Sequence, residues 1–237
     1  MKKTTSEEKE FLQQYDSSMF EKPSVAVDVL IFTIEEDTLK VVMVERSEFP
    51  YKGCLALPGV FVGIDESLED AVKRGVKDET GLKDMYFEQL YTWGDVKRDP
   101  RMRIISVSYM ALVSIDQLCA KSANGNIRDY LYPVEELMAA DKELAFDHKE
   151  IISYARTRIK NKAAAYSDIA FNFMSEKFTL PKLQKVYEIL MDKPLYKANF
   201  RKKVSPMVLE TEESTSGEAH RPSKLYVKNT DYNALGE

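Results

Sequence analysis

Residues 59–82 read GVFVGIDESLEDAVKRGVKDETGL, and the organisation of the whole chain is read outward from them. Leu57-Pro58-Gly59 predicts a turn, followed by a loop that holds Gly63, Asp65 and Glu66. Ser67 is the expected N-cap of a helix, with Asp70 three residues on as a weaker stand-in for the Glu or Gln of a capping box. Leu68, Ala71, Val72 and Val76 recur at helical spacing, and Thr80-Gly81 supplies a glycine stop. Arg74, Asp78 and Glu79 lie on the opposite face. Carboxylates at this spacing project from one side of a helix and can share a hard divalent cation such as magnesium.

Loop, helix and loop together resemble the Nudix box, the signature of hydrolases that cleave nucleoside diphosphates linked to another group. That box asks for a glycine, five residues, Glu, seven residues, then Arg-Glu-apolar-x-Glu-Glu-x-Gly-apolar. Glu66, Arg74, Val76, Glu79, Gly81 and Leu82 fall in place. Val60 stands where the first glycine belongs, Gly75 replaces the Glu after Arg, and Asp78 replaces the next Glu. The resemblance makes positions 75, 78 and 79 the magnesium-ligating face, so Gly75 removes a ligand and Asp78 shortens another. Glycine also costs roughly 1 kcal/mol in a helix interior. The expectation is a Nudix fold whose hydrolysis is weak or lost, with Glu66, Asp78 and Glu79 holding whatever magnesium remains.

The 237 residues exceed one small domain, and 44% hydrophobic with 31% charged residues is ordinary for soluble globular protein. No apolar run approaches a membrane span, and the N-terminus MKKTTSEEKEF lacks the apolar core of a signal peptide. The expected location is cytoplasmic. Cys54 and Cys119 are too few for a zinc site or a disulfide framework and are expected to be reduced thiols. The net charge of −5 argues against unspecific nucleic-acid binding by the whole chain. It hides an asymmetry, because Phe178 to Thr230 carries ten basic and six acidic residues. An acidic front and a basic back suggest two tasks.

Four parts follow: a tail over 1–22, an effector domain over 23–160, a DNA-binding domain over 161–230 and a tail over 231–237. A short helix is expected from Ser6 to Tyr15, its Phe11 and Tyr15 either packed on the body or loosely held. Val25–Thr33 and Leu39–Val44 predict a hairpin about Ile34-Glu35-Glu36-Asp37. Further strands are expected at Met85–Thr92, Ile104–Val113 and Asp129–Val134, with a turn at Ser122–Asn126 and a helical turn at Glu135–Met138. Between the third and fourth strands, Trp93 to Arg103 gathers Lys97, Arg98, Arg101 and Arg103 in a Gly/Pro loop. Guanidinium forks match phosphate oxygens, so this loop can clamp phosphates; a solvated hairpin tip is the plainer reading. Asp147 is a natural N-cap for a helix running to about Lys160, striped by Ile151, Ile152, Ala155 and Ile159. His148 is read as a packing or hydrogen-bonding residue rather than a general base.

A joint is placed at Lys160–Asp168, followed by a bridging helix over Tyr166–Met174. Thr179 caps LPKLQKVYEILMD, with Leu183, Val186, Tyr187 and Leu190 on one face. After the turn Lys193-Pro194-Leu195, YKANFRKKV makes a compact basic helix with Phe200 and Val204 inward. Two helices on a tight turn, the second basic, have the layout of a helix-turn-helix. Met207-Val208-Leu209, an acidic tip and a returning strand through Tyr226 complete a wing.

The two halves resemble the Nudix-related transcriptional regulators. The features that carry this are the box, Arg98-Asp99-Pro100-Arg101, Phe146-Asp147-His148, Phe178-Thr179-Leu180-Pro181, Asn199-Phe200-Arg201-Lys202-Lys203 and Arg221-Pro222. The resemblance implies an α+β chain: a Nudix fold, with a mixed sheet between helices, joined to a C-terminal winged helix-turn-helix. It implies an effector-responsive regulator whose Nudix domain senses ADP-ribose, a related nucleotide or a sugar, and a homodimer on operator DNA. Carried over by position, Arg46, Arg98, Arg101 and Arg103 meet the effector's phosphates. Lys197, Asn199, Arg201, Lys202 and Lys203 face DNA from the recognition helix, and Arg221 sits on the wing. The alternative is a magnesium-dependent ADP-ribose pyrophosphatase that uses Asp78, Glu79 and a remote glutamate, with Glu135, Glu136 and Glu143 as candidates.

Overall fold

The computed structural model describes residues 5–82, 87–121, 126–215 and 222–232. Its centre is β1 (Ser24–Glu35), whose side chains alternate between two apolar layers. Leu30 and Phe32 enter one core, whereas Val27, Val29 and Ile31 enter the other, as the two-residue period of a strand requires when both faces are covered. The chain returns through β2 (Thr38–Val42), antiparallel to β1. The turn is tighter than the sequence suggests: β1 runs to Glu35, and only Glu36 and Asp37 connect the strands, both at positive φ as a two-residue hairpin demands.

Short strands β3 (Val44–Glu45) and β4 (Leu55–Ala56) pair with each other, and β5 (Gly59–Phe61) lies antiparallel on the first half of β1. Then α2 (Leu68–Thr80) is capped by Ser67, which accepts the Asp70 amide, and stopped by Gly81 in the left-handed region. Asp70 accepts the Ser67 hydroxyl rather than its amide, so the capping box is not reciprocal. Next come β6 (Glu88–Trp93) and β7 (Ile104–Leu112), the latter parallel to β1 and antiparallel to β6. With β8 (Leu131–Pro133) against β2, the mixed sheet has the order β6-β7-β1-β2-β8, with β5 added to β1.

Helix α2 covers one face with the helix over Ile115–Lys121, called α3, which the sequence reading did not foresee. A short α4 (Val134–Met138) leads to α5 (His148–Ala164), which covers the other face through Ile151, Ile152, Ala155 and Ile159. The helix therefore runs through the expected joint at Lys160. N-terminal to the sheet, α1 (Ser6–Gln14) has a capping box between Thr5 and Glu8. Its Phe11 and Tyr15 stay exposed, at 62% and 50%, and pack on each other with ring centres 5.6 Å apart.

Beyond α5 a 3-10 turn over Asp168–Phe173 stands where a helix was expected. Helix α6 (Leu180–Met191) is capped by Thr179 and followed by α7 (Lys197–Val204). The wing is the antiparallel pair β9 (Val208–Ser214) and β10 (Lys224–Lys228). Leu183, Val186, Tyr187, Phe200 and Val204 join the same core that Leu30, Phe32 and α5 build, so one apolar interior spans both halves. The Tyr187 ring sits between Tyr166, 5.3 Å away, and Phe200, 5.7 Å away, and its hydroxyl donates to the Ser167 carbonyl at 2.7 Å.

Candidate effector pocket and nucleic-acid interface

A cleft opens where β1, β5, the start of β7 and the start of α5 converge. Its base is a buried polar cluster. Arg98 Nη2 donates to Asp147 Oδ1 at 2.7 Å and to Asp28 Oδ2 at 3.2 Å, and its Nε donates to Asp147 Oδ2 at 2.8 Å. The Ser106 hydroxyl donates to Asp28 as well. The Leu57 amide donates to His148 Nδ1 at 2.9 Å, which leaves Nε2 as the protonated nitrogen, 3.6 Å from Asp28 Oδ1. Burial pushes the His148 pKa down, against the pull of Asp28 and Asp147. Asp147 is the N-terminal boundary residue of α5 but caps no amide, because its carboxylate is committed to Arg98. Gly59 permits the close approach of β5 to this cluster: a Cβ there would lie 2.6 Å from Asp28 Oδ1 and 2.7 Å from the Val27 carbonyl.

The walls differ in character. Phe146, held at φ +53°, presents its ring to Arg46 at 4.9 Å and to Arg101 at 5.7 Å. Phe61 adds a second ring 5.5 Å from Arg101, and Tyr51 meets Phe146 edge-on. Arg101 pairs with Asp99 at 2.8 Å yet keeps 40% of its side chain exposed, so it remains available to a ligand. Arg46 Nε donates to the Pro50 carbonyl. The structure thus brings Arg46, Arg98 and Arg101 to one cleft, with Arg98 already engaged through Nε and Nη2 by two carboxylates. Arg103 is exposed, does not line the cleft and donates to the Asp95 carbonyl. Phe61, Phe146 and Asp28 went unnoticed as site residues; the positive φ of Phe146 leaves no trace in a sequence.

The candidate metal ligands do not converge. Both oxygens of Glu66 are taken by Arg74 and the Gly63 amide, which hold its carboxyl down to about 2. Glu66 therefore ties the loop to α2, and Arg74 adds a bond to the Phe61 carbonyl. Asp78 is exposed. Glu79 faces the neighbouring hollow beside Arg46 and Gly59, where burial pushes its carboxyl up to about 7 against the Gly59 amide and Arg46. Among the described residues no three His, Cys, Asp or Glu side chains are grouped to hold a metal ion. Glu135 is exposed and paired with Arg156, and Glu136 and Glu143 are exposed; none of the three lines the cleft.

In the C-terminal half, α7 buries Phe200 and Val204 one turn apart and exposes Lys197, Asn199, Arg201, Lys202 and Lys203. Among the described residues none of these four cations makes an ion pair, whereas Lys224 and Lys228 of the wing are paired with Glu210 and Asp168. Tyr196, 84% exposed just before α7, was not foreseen. Arg221 lies outside the described residues.

Residues 22–155 match the NUDIX domain profile, and residues 170–227 match the NrtR DNA-binding winged helix domain. Over 225 residues the chain is 33% identical to the ADPR responsive transcriptional repressor NtrR of Acinetobacter baylyi, covering 93% of this chain and 88% of the relative. The chain belongs to the Nudix-related transcriptional regulators. Shewanella oneidensis NrtR, solved with a 27mer DNA, superposes with a TM-score of 0.72 at 34% identity, covering 86% of this chain and 93% of that one. The NUDIX domain of the same protein, solved with ADP ribose, gives 0.54 at 35% identity over 64% and 97%. Nudix domains generally use a divalent metal, but the residues present in this regulator do not fit a resident one: position 75 lacks a side chain, and Glu66 is engaged elsewhere. No helix among the described residues is long and apolar enough to cross a membrane.

Proposed function

We propose that this chain is a transcription regulator that binds operator DNA through its winged helix and senses ADP-ribose or a closely related nucleotide in the Nudix cleft. The observation that carries the reading is the exposed basic face of α7, set on the same apolar core as a cleft walled by arginines and aromatic rings. Phosphates would meet Arg46 and Arg101, whose guanidinium groups still have donors to give, and the planar base or the ribose would lie against Phe146 and Phe61. Arg98 acts as the support of that cleft, and Arg103 lies outside its lining. Any cation that α2 still attracts has only Asp78 and Glu79 to hold it, so hydrolysis is weak or lost.

On the DNA side, Lys197, Asn199, Arg201, Lys202 and Lys203 enter the major groove and Arg221 of the wing meets the backbone. The effector unit extends over about 23–160 and the DNA-binding unit over about 161–230. The regulator works in the cytoplasm as a homodimer on a two-fold operator. Effector binding shifts the population of dimer geometries and with it the spacing of the two recognition helices. The names of the relatives support ADP-ribose over a free sugar.

The test is fluorescence anisotropy of a labelled duplex from the promoters of neighbouring genes, with and without ADP-ribose. Sequence-selective binding that ADP-ribose alters is the expected result. Selective binding that ADP-ribose leaves unchanged would assign the cleft to another ligand, and unselective binding would remove the regulator reading.

A further inference from the structure

A Cβ placed on Gly75 would lie 2.8 Å from both methyl carbons of Val60 and 3.3 Å from its Cβ. Side chains do not approach that closely, and valine has little freedom to turn aside because branching at Cβ fixes its χ1. Val60 is also held from behind. It lies in β5, in register with Val27 of β1, and packs into the core layer that α2 covers. Retreat toward β1 is closed by Gly59, where even the absent Cβ would collide with Asp28 and the Val27 carbonyl. Gly75 is itself buried in the middle of α2, facing Val60.

This pairing accounts for a glycine in a helix interior, where it lowers stability. Relative to the Nudix box, the glycine and the side-chain-bearing residue have changed places: position 60 has gained bulk and position 75 has lost it. We propose that Val60 is a plug that closes position 75 to every side chain, and that the cleft consequently takes its anionic effector on arginines without a divalent cation. Val60, Arg46 and Arg101 line the same cleft, and two guanidinium groups match the two negative charges of a pyrophosphate diester. The inference rests on the nucleotide reading of that cleft.

Isothermal titration of the full-length protein with ADP-ribose, once in EDTA and once in excess magnesium, separates the two. Equal affinity within about twofold is expected. A gain of about tenfold or more with magnesium overturns the cation-free mode, and heat in neither condition overturns the nucleotide reading itself. Melting temperatures test the plug directly. In an ordinary helix interior Gly→Ala raises Tm by about 2–4 °C in a chain of this size. Here Gly75→Ala lowers Tm beside Val60 and raises it in a Val60→Gly background; a rise with Val60 in place overturns the plug. Manganese titration followed by electron paramagnetic resonance adds the ligand readout. Val60→Gly/Gly75→Glu gains manganese binding, while binding just as tight by Gly75→Glu alone would overturn the proposal.

Discussion

Arg98 and Asp147 meet at two points, Nε to Oδ2 at 2.8 Å and Nη2 to Oδ1 at 2.7 Å, with 5% and 14% of their side chains exposed. The pair ties the loop after β6 to the first turn of α5, and through Asp28 it also grips the central strand. A planar fork that matches a carboxylate at two points loses that geometry on replacement by lysine.

Arg98→Met leaves Asp28 and Asp147 buried without their shared counter-charge, and the expected loss of stability is about 3–5 kcal/mol. Chemical denaturation at neutral pH measures it. A loss confined to effector affinity, with denaturation unchanged, would return Arg98 to the role of a phosphate ligand.

Arg101→Ala separates binding from support. Its side chain is part-exposed and its ring neighbours Phe61 and Phe146 remain in contact with the cleft. A lost charge-assisted contact of about 1.5–3 kcal/mol predicts ADP-ribose affinity weaker by about ten- to hundredfold, with Tm little changed. Arg46→Ala should act alike, and Arg103→Ala should leave titration heats as they are.

His148 gives stability a pH dependence of definite sign. Burial lowers its folded pKa below the ordinary value near 6.5, so the unfolded chain takes up the proton first. Its contribution is complete above about 6.5 and is lost as pH falls through the folded value. Glu79, raised to about 7, slopes the opposite way: its folded pKa exceeds the unfolded one, so stability is lost as pH rises toward 7. Denaturation midpoints between pH 4.5 and pH 7.5 should therefore lose their acid-side fall in His148→Gln, which keeps an acceptor for the Leu57 amide, and their rising-pH loss in Glu79→Gln.

On α7, Arg201→Glu/Lys202→Glu reverses charge on the exposed face and leaves Phe200 and Val204 buried. Operator binding should vanish in anisotropy while ADP-ribose titration is preserved. Lys202→Ala alone should lower the slope of log affinity against log salt by about one. Operator binding that survives the double reversal would move the interface off α7.

The sequence carried the fold wherever a local period and a local stop coincided. Leu68, Ala71, Val72 and Val76 between Ser67 and Gly81 define α2 to within a residue. Thr179 and Pro181 do the same for the start of α6. Short strands such as β3, β4 and β5 escape such reading, because two or three residues hold no period and pairing depends on distant partners. The site divides likewise. Of the four arginines that the resemblance assigned to an effector, Arg46, Arg98 and Arg101 line one cleft. That Arg98 is spent on Asp28 and Asp147 could not be read from the sequence, since those carboxylates lie 70 and 49 residues away in the chain. Val60 and Gly75 each read as a separate departure from a motif; only their 2.8 Å approach makes them one event.

Helix α5 passes without interruption from the cleft at His148 to Ala164, and its apolar stripe belongs to the same interior as Tyr187 and Phe200. The sensing and DNA-reading halves are thus not beads on a tether. They share one melting event, and calorimetry should record a single endotherm whose calorimetric and van't Hoff enthalpies agree. Ligand bound far from α7 must then protect it: ADP-ribose at about a hundred times its Kd adds about 2.7 kcal/mol to the whole unit, and α7 amides should exchange their hydrogens more slowly in its presence.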